Sequence, residues 1–204
     1  MATIFREPIE WCDIWIRSAE KSGHPRCLCI GDSITRGYYG GVDQRLMDRF
    51  ESARLATSRF LTDPVYHQEL ALVMEQYRFQ VIHFNNGLHG WDFSEADYED
   101  GLHRLVDLLR RVQPSARLIC ATSTPVRVAG DSSRFDARHE RVVARNRLLT
   151  GVMSAQRIPI NDLFSLALAR PDWSADDGIH FNAAGCAGLA EAVAAAIASR
   201  HADR

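Results

Sequence analysis

Apolar positions along the chain fall into two alternating rhythms. Residues 27–30 form a short apolar run ended by Gly31, residues 79–84 a stronger one closed by Asn85-Asn86-Gly87, and 117–121 and 157–160 two more, with 53–57 a weaker candidate. Such short runs, bounded by turn residues, predict buried strands. The segments between them carry helical spacing. The pattern predicts a loop leading into a helix over 35–50, a helix over 64–77 with Pro64 at its first turn, another over 139–153 and a final Ala-rich helix over 183–199. The clearest signature follows Ser94, which can cap a helix while Asp97 reciprocates three residues on. Tyr98, Leu102, Leu105, Leu109 and Val112 then line one stripe, and Pro114 ends it.

Strands alternating with helices predict a mostly parallel α/β sheet of about five strands covered on both faces, because each parallel crossover needs a long connection. Nothing divides the 204 residues, so one domain over 1–204 is expected. Ahead of it, Ile9, Trp11, Ile14 and Trp15 form an apolar patch that predicts an amphipathic helical extension at about 7–22, with a homo-oligomer contact as the alternative use of those aromatics.

Composition narrows the function classes. Hydrophobic residues make up 46% and charged residues 25%, with a formal net charge of −2 and no run of Lys or Arg, so neither a nucleic-acid nor a membrane-surface partner is expected. The first residues lack the pattern of a secretory signal and no stretch is apolar enough to span a bilayer, which points to the cytoplasm. Cys12, Cys27, Cys29, Cys120 and Cys186 are scattered and odd in number, the usage of reduced core thiols rather than of a zinc site or disulfide scaffold.

In parallel sheets ligands bind beyond the carboxyl ends of the strands. Four such places carry capable groups: Asp32-Ser33, the segment 85–89, Thr122-Ser123-Thr124, and the turn Asp176-Asp177-Gly178-Ile179-His180 before the last helix. A serine hydroxyl needs an adjacent base to attack a carbonyl, and the base needs a third group to fix its tautomer. Ser33, at a strand-to-helix turn, has the position for such a nucleophile, with first-turn N–H groups able to face developing negative charge. Asp177 and His180 can fold together so that one ring nitrogen meets the carboxylate and the other the serine. Each element also has a purely structural reading, Ser33 as a helix cap and Asp177 as a turn residue beside a surface histidine.

Ile30-Gly31-Asp32-Ser33-Ile34 together with Asp177-Gly178-Ile179-His180 resembles the SGNH (GDSL-type) hydrolase family, and the likeness runs from about residue 26 to 198. The resemblance implies a flavodoxin-like α/β/α sandwich, Ser33 as nucleophile, His180 as base, Asp177 as third member, the Ser33 N–H as one oxyanion donor, and no cofactor or metal. The sequence departs from the family in two blocks. Where Gly-x-Asn-Asp is usual, it reads Gly87-Leu88-His89-Gly90, so His89 takes the asparagine's place as oxyanion donor, with Asn86 the nearest alternative. No glycine occurs between Gly41 and Gly87 to supply the second-block N–H, which leaves the backbone of Ser58 or Arg59. The expected activity is cleavage of a short-chain ester, with O-deacetylation of a carbohydrate or small metabolite favoured and an acetylated sugar as the candidate partner molecule. A binding module of the same fold, impaired in turnover, and a thioesterase or lysophospholipase are the rival readings.

The remaining polar residues have simpler expectations. Asp32 holds the loop by local hydrogen bonds, as do Asn146 and Asp162. His83 is a satisfied core histidine, and His67, His103, His139 and His201 are surface residues on helices. Trp91 and Asp92 either line a pocket wall or simply pack. Arg127 and Arg134 either hold an anionic or sugar-like substrate or sit in a solvated loop.

Overall fold

The computed structural model describes residues 5–20 and 23–202, with side chains as far as Ser199. The sheet has six strands in the order β1-β3-β2-β4-β5-β8: β1 (Cys12–Ile16), β3 (Glu51–Thr57), β2 (Arg26–Gly31), β4 (Val81–Phe84), β5 (Arg117–Ala121) and the short β8 (Ile160–Asn161). Five of them are parallel. Taken alone, these five run in the order second, first, third, fourth, fifth, which is the flavodoxin-like winding. The winding reverses at β2, and the crevice that opens there is where such sheets bind ligands.

Two apolar layers enclose the sheet. Leu28 and Ile30 of β2, Ile82 and Phe84 of β4 and Cys120 of β5 face α2 (Pro64–Gln76), α3 (Glu95–Val112) and the later part of α4 (His139–Ala155). Cys27, Cys29, Val81, Ile119 and Ala121 face α1 (Ser33–Leu46) and α6 (Ala183–Ala202). The alternation follows from the two-residue period of a strand: buried on both faces, it needs apolar side chains throughout. The Ser94–Asp97 capping box forms, each residue's side chain accepting the other's N–H at 3.1 and 2.9 Å, and the Tyr98–Leu109 stripe is buried. Helix α1 starts earlier than its pattern predicts, at Ser33, because buried Asp32 caps it by accepting the Ile34 N–H at 2.9 Å.

Among its described residues, 7–20, the expected helical extension is not a helix, and residues 21–22 lie outside the described residues. Residues 12–16 form the antiparallel edge strand β1 on β3, which raises the strand count from about five to six. The spacing of Ile9, Trp11, Ile14 and Trp15 suits a helix, but β-branched and aromatic residues beside an open sheet edge gain ladder hydrogen bonds instead. Asp13 adds a cross-strand ion pair to Arg54 at 2.5 Å. Ile9 and Trp15 remain exposed.

Three further expectations change. His139 is buried rather than at the surface, stacked on Phe135 with ring centroids 3.9 Å apart. His67 is half-buried, bonded to the Leu61 carbonyl at 2.9 Å, and His201 lies outside the described side chains. The hairpin of β6 (Arg127–Val128) and β7 (Asp131–Phe135) explains Arg127, which is buried and donates to the carbonyls of Ser132 and of Leu168 at the end of α5 (Leu163–Leu168). Arg134 is exposed on β7. Among the described residues no helix is long and apolar enough to cross a membrane.

Candidate active site

Ser33 stands at the first turn of α1, directly beyond β2, where the N–H groups have no intrahelical acceptors. At the other end of the chain, the turn before α6 is closed by backbone bonds from Ala175 N to His180 O and from Gly178 N to Ala175 O. Gly178 has φ +73°, and a Cβ there would lie 2.2 Å from the Arg127 carbonyl oxygen, so only glycine fits. Asp177 Oδ1 accepts the N–H groups of Ile179 and His180 at 2.9 and 2.8 Å, an Asx turn that fixes the carboxylate before it meets any side chain.

The turn delivers His180 to Ser33. Across 147 residues of sequence the Ser33 hydroxyl meets His180 Nε2 at 2.8 Å, and His180 Nδ1 meets Asp177 Oδ2 within its own turn at 2.6 Å. Asp177 is pulled down to about 2: burial works against the charged form, but the His180 hydrogen bond, the two backbone N–H groups and the imidazole's charge outweigh it. Its carboxylate therefore accepts the Nδ1 proton and leaves Nε2 with a lone pair toward the serine hydroxyl. The geometry fits proton transfer from the hydroxyl to the ring.

Ser33 and His180 open into a cavity of about 410 Å³, whose walls include Phe5, Leu88, His89, Trp91, Asp92 and Ile179. His89 thus shares the cavity with Ser33. Its Nδ1 faces Glu7 at 2.9 and 3.0 Å, and the same carboxylate accepts the Gly90 N–H at 3.3 Å. Asn86 is not part of the wall: it is buried, and its amide donates to the Arg59 carbonyl at 2.8 Å. Gly87 lies behind the cavity, where a Cβ would stand 2.0 Å from Ser123 Oγ. Asp32 is buried under the α1 cap.

Neither expected second-block donor is free. The Ser58 N–H donates to Trp11 O at 3.1 Å, extending the β1 pairing, and the Arg59 N–H donates to Thr57 Oγ1 at 3.2 Å. The edge strand is what occupies the Ser58 donor.

Sequence reasoning missed two residues that shape the cavity. Glu7 carries no motif, and its partner is 82 positions away. Arg145 is wholly buried and donates to the carbonyls of Gly87, His89 and Gly90 at 3.0, 2.8 and 2.8 Å, with its guanidinium over the Trp91 ring. A signal for it existed: Arg145 falls between Val142 and Leu149, a charged residue on the buried stripe of α4.

The profile of the GDSL-like lipase/acylhydrolase family matches residues 29–187. No curated protein matches the chain. Among solved structures it is similar to an aryl esterase of M. smegmatis (18% identity, TM-score 0.69, covering 86% of this chain and 99% of that one). It is also similar to a carbohydrate acetylesterase from Sinorhizobium meliloti (17%, 0.68, 86% and 99%) and to an acetyl xylan esterase (16%, 0.68, 84% and 99%). At these identities the structural likeness establishes the fold, and the profile, spanning most of the sequence, establishes the relationship: this chain belongs to the GDSL-like lipase/acylhydrolase family.

Proposed function

We propose that the protein hydrolyses a short-chain carboxylic ester through an acyl-enzyme on Ser33, with O-deacetylation of a carbohydrate or small metabolite as the preferred reaction. The observation that carries this reading is the continuous path Ser33 Oγ, His180, Asp177, with links of 2.8 and 2.6 Å. Ser33 Oγ attacks the ester carbonyl carbon as its proton passes to His180 Nε2. The tetrahedral intermediate collapses, the C–O bond to the alcohol breaks, and the alcohol leaves with that proton. Water then attacks the acyl-enzyme, giving its proton to His180, and the acid departs as Ser33 regains the proton. The oxyanion faces the Ser33 N–H and His89.

A cavity of about 410 Å³ is of the size that takes a small-molecule ester. Two of the similar structures are carbohydrate-directed esterases, which supports the acetylated-sugar version. Rates on p-nitrophenyl acetate and longer p-nitrophenyl esters, wild type against Ser33→Ala, test the reading. Turnover should fall with chain length and drop at least a thousandfold in the variant; equal rates in the two proteins would remove the serine mechanism.

A further inference from the structure

The cavity holds two carboxylate–imidazole couples, Asp177–His180 and Glu7–His89, built alike but facing opposite tasks. A carboxylate only accepts hydrogen bonds, so in each couple the proton lies on Nδ1. For His180 the consequence is a lone pair on Nε2, which is what a base needs. For His89 the same consequence is a problem: a neutral ring whose Nδ1–H is given to Glu7 would present a lone pair, not a donor, to an oxyanion. Nε2 of His89 has no protein hydrogen-bond partner among the described residues, and it can donate only if the ring carries both protons.

Resting on the serine-esterase reading, we infer that Glu7 is a positioning residue that keeps His89 as an imidazolium, so that the oxyanion hole works by a charge-assisted N–H in place of a neutral amide. The groups around the ring favour this. Burial opposes the charge, but the Glu7 hydrogen bond, the nearby Asp32 carboxylate and the charge of Glu7 outweigh it and hold His89 above its ordinary value, with buried Arg145 acting in the other direction. Glu7 shifts downward in step: burial resists, and the His89 bond and charge prevail. The other cavity charges are largely paired among themselves, Arg6 with Asp63 and Arg59 with Glu10 and Asp63, while Arg138 is held by Asp136; Asp92 adds a further negative charge to the wall.

The Glu7–His89 couple then sets the alkaline limb of the pH profile. Turnover falls as His89 loses its second proton. The test is kcat against pH on p-nitrophenyl acetate for wild type and Glu7→Gln, with the His89 ring followed by ¹⁵N NMR, a readout independent of turnover. Wild type should show a descending alkaline limb that coincides with the His89 titration. In Glu7→Gln, His89 should titrate at lower pH, the limb should leave its wild-type position, and kcat should fall about tenfold with KM within twofold. A profile that rises to a plateau, or a variant whose limb and His89 titration both match wild type, overturns the inference while leaving the serine mechanism intact. Activity that survives Ser33→Ala fails the underlying reading instead.

Discussion

Arg145 Nη1 donates to the carbonyl of His89 at 2.8 Å from a fully buried position on the neighbouring helix α4. The same guanidinium takes the carbonyls of Gly87 and Gly90, so one side chain fixes the loop that places His89 on the cavity wall. Burial drags its pKa down to about 10, which still leaves it charged at neutral pH. Arg145→Ala should cost about 2–5 kcal/mol by leaving three carbonyls unpaired beside a cavity. Arg145→Lys is the sharper variant. A lysine keeps the charge but not the planar fork, so the fold should persist with kcat lowered more than KM is raised. Urea titration beside steady-state kinetics checks this; a lysine variant with wild-type kcat would show that the loop needs no fork.

Gly178→Ala should destabilise the His180 turn. Its φ of +73° costs an L residue about 1–2 kcal/mol, and the added Cβ meets backbone, the Arg127 carbonyl oxygen at 2.2 Å, rather than a side chain that could move. Esterase activity should fall well beyond what the loss of thermal stability explains, because the turn carries both Asp177 and His180. Parallel melting and turnover measurements on Gly178→Ala and on a control, Gly130→Ala, at φ +75° with open space around it, separate strain from the clash.

Asp177→Asn keeps the size of the side chain but turns an acceptor-only group into one that can donate, which favours the wrong tautomer of His180. Turnover at pH 7 should drop by roughly 10³–10⁴-fold. Both side chains are about half exposed, so the melting temperature should barely change. Since Asp177 titrates at about 2, the carboxylate stays charged through the whole working range, and wild-type activity lost between pH 6 and 4 should not be ascribed to it.

His83 gives stability a pH dependence of known sign. It is fully buried in β4 with Nε2 accepting from Asn161 Nδ2 at 3.2 Å, and burial pushes its pKa down to about 4. The neutral ring is favoured by the folded state. Its contribution is therefore complete above the unfolded value of about 6.5, declines as pH falls, and is lost by about pH 4. The full difference is on the order of 3 kcal/mol. Urea midpoints of wild type and His83→Asn at pH 7, 6, 5 and 4 should converge toward the acid end; a constant gap would mean that another group takes up the proton.

What the sequence displays well is whatever rests on neighbours along the chain. The Ser94 cap, the α3 stripe and the Asp177–His180 turn are all set by residues within a few positions of each other. The strand ends that carry Ser33 and His89 were equally legible, because buried strands need continuous apolar runs and turn residues close them. Residues 12–16 show the limit of local pattern: their apolar spacing fits a helix, and only the open edge of β3 made them a strand.

By itself, then, the sequence determined the alternation of strands and helices and the two motifs that meet at the rim of the sheet. Tertiary structure alone decided that Glu7 backs His89 from 82 residues away, that Arg145 grips the loop carrying His89, and that the edge strand occupies the Ser58 N–H. The reason is physical: periodicity and turn chemistry report on a residue's nearest neighbours. A buried charge or an engaged backbone donor takes its partner from whichever segment chain closure brings alongside, and no local pattern encodes that choice.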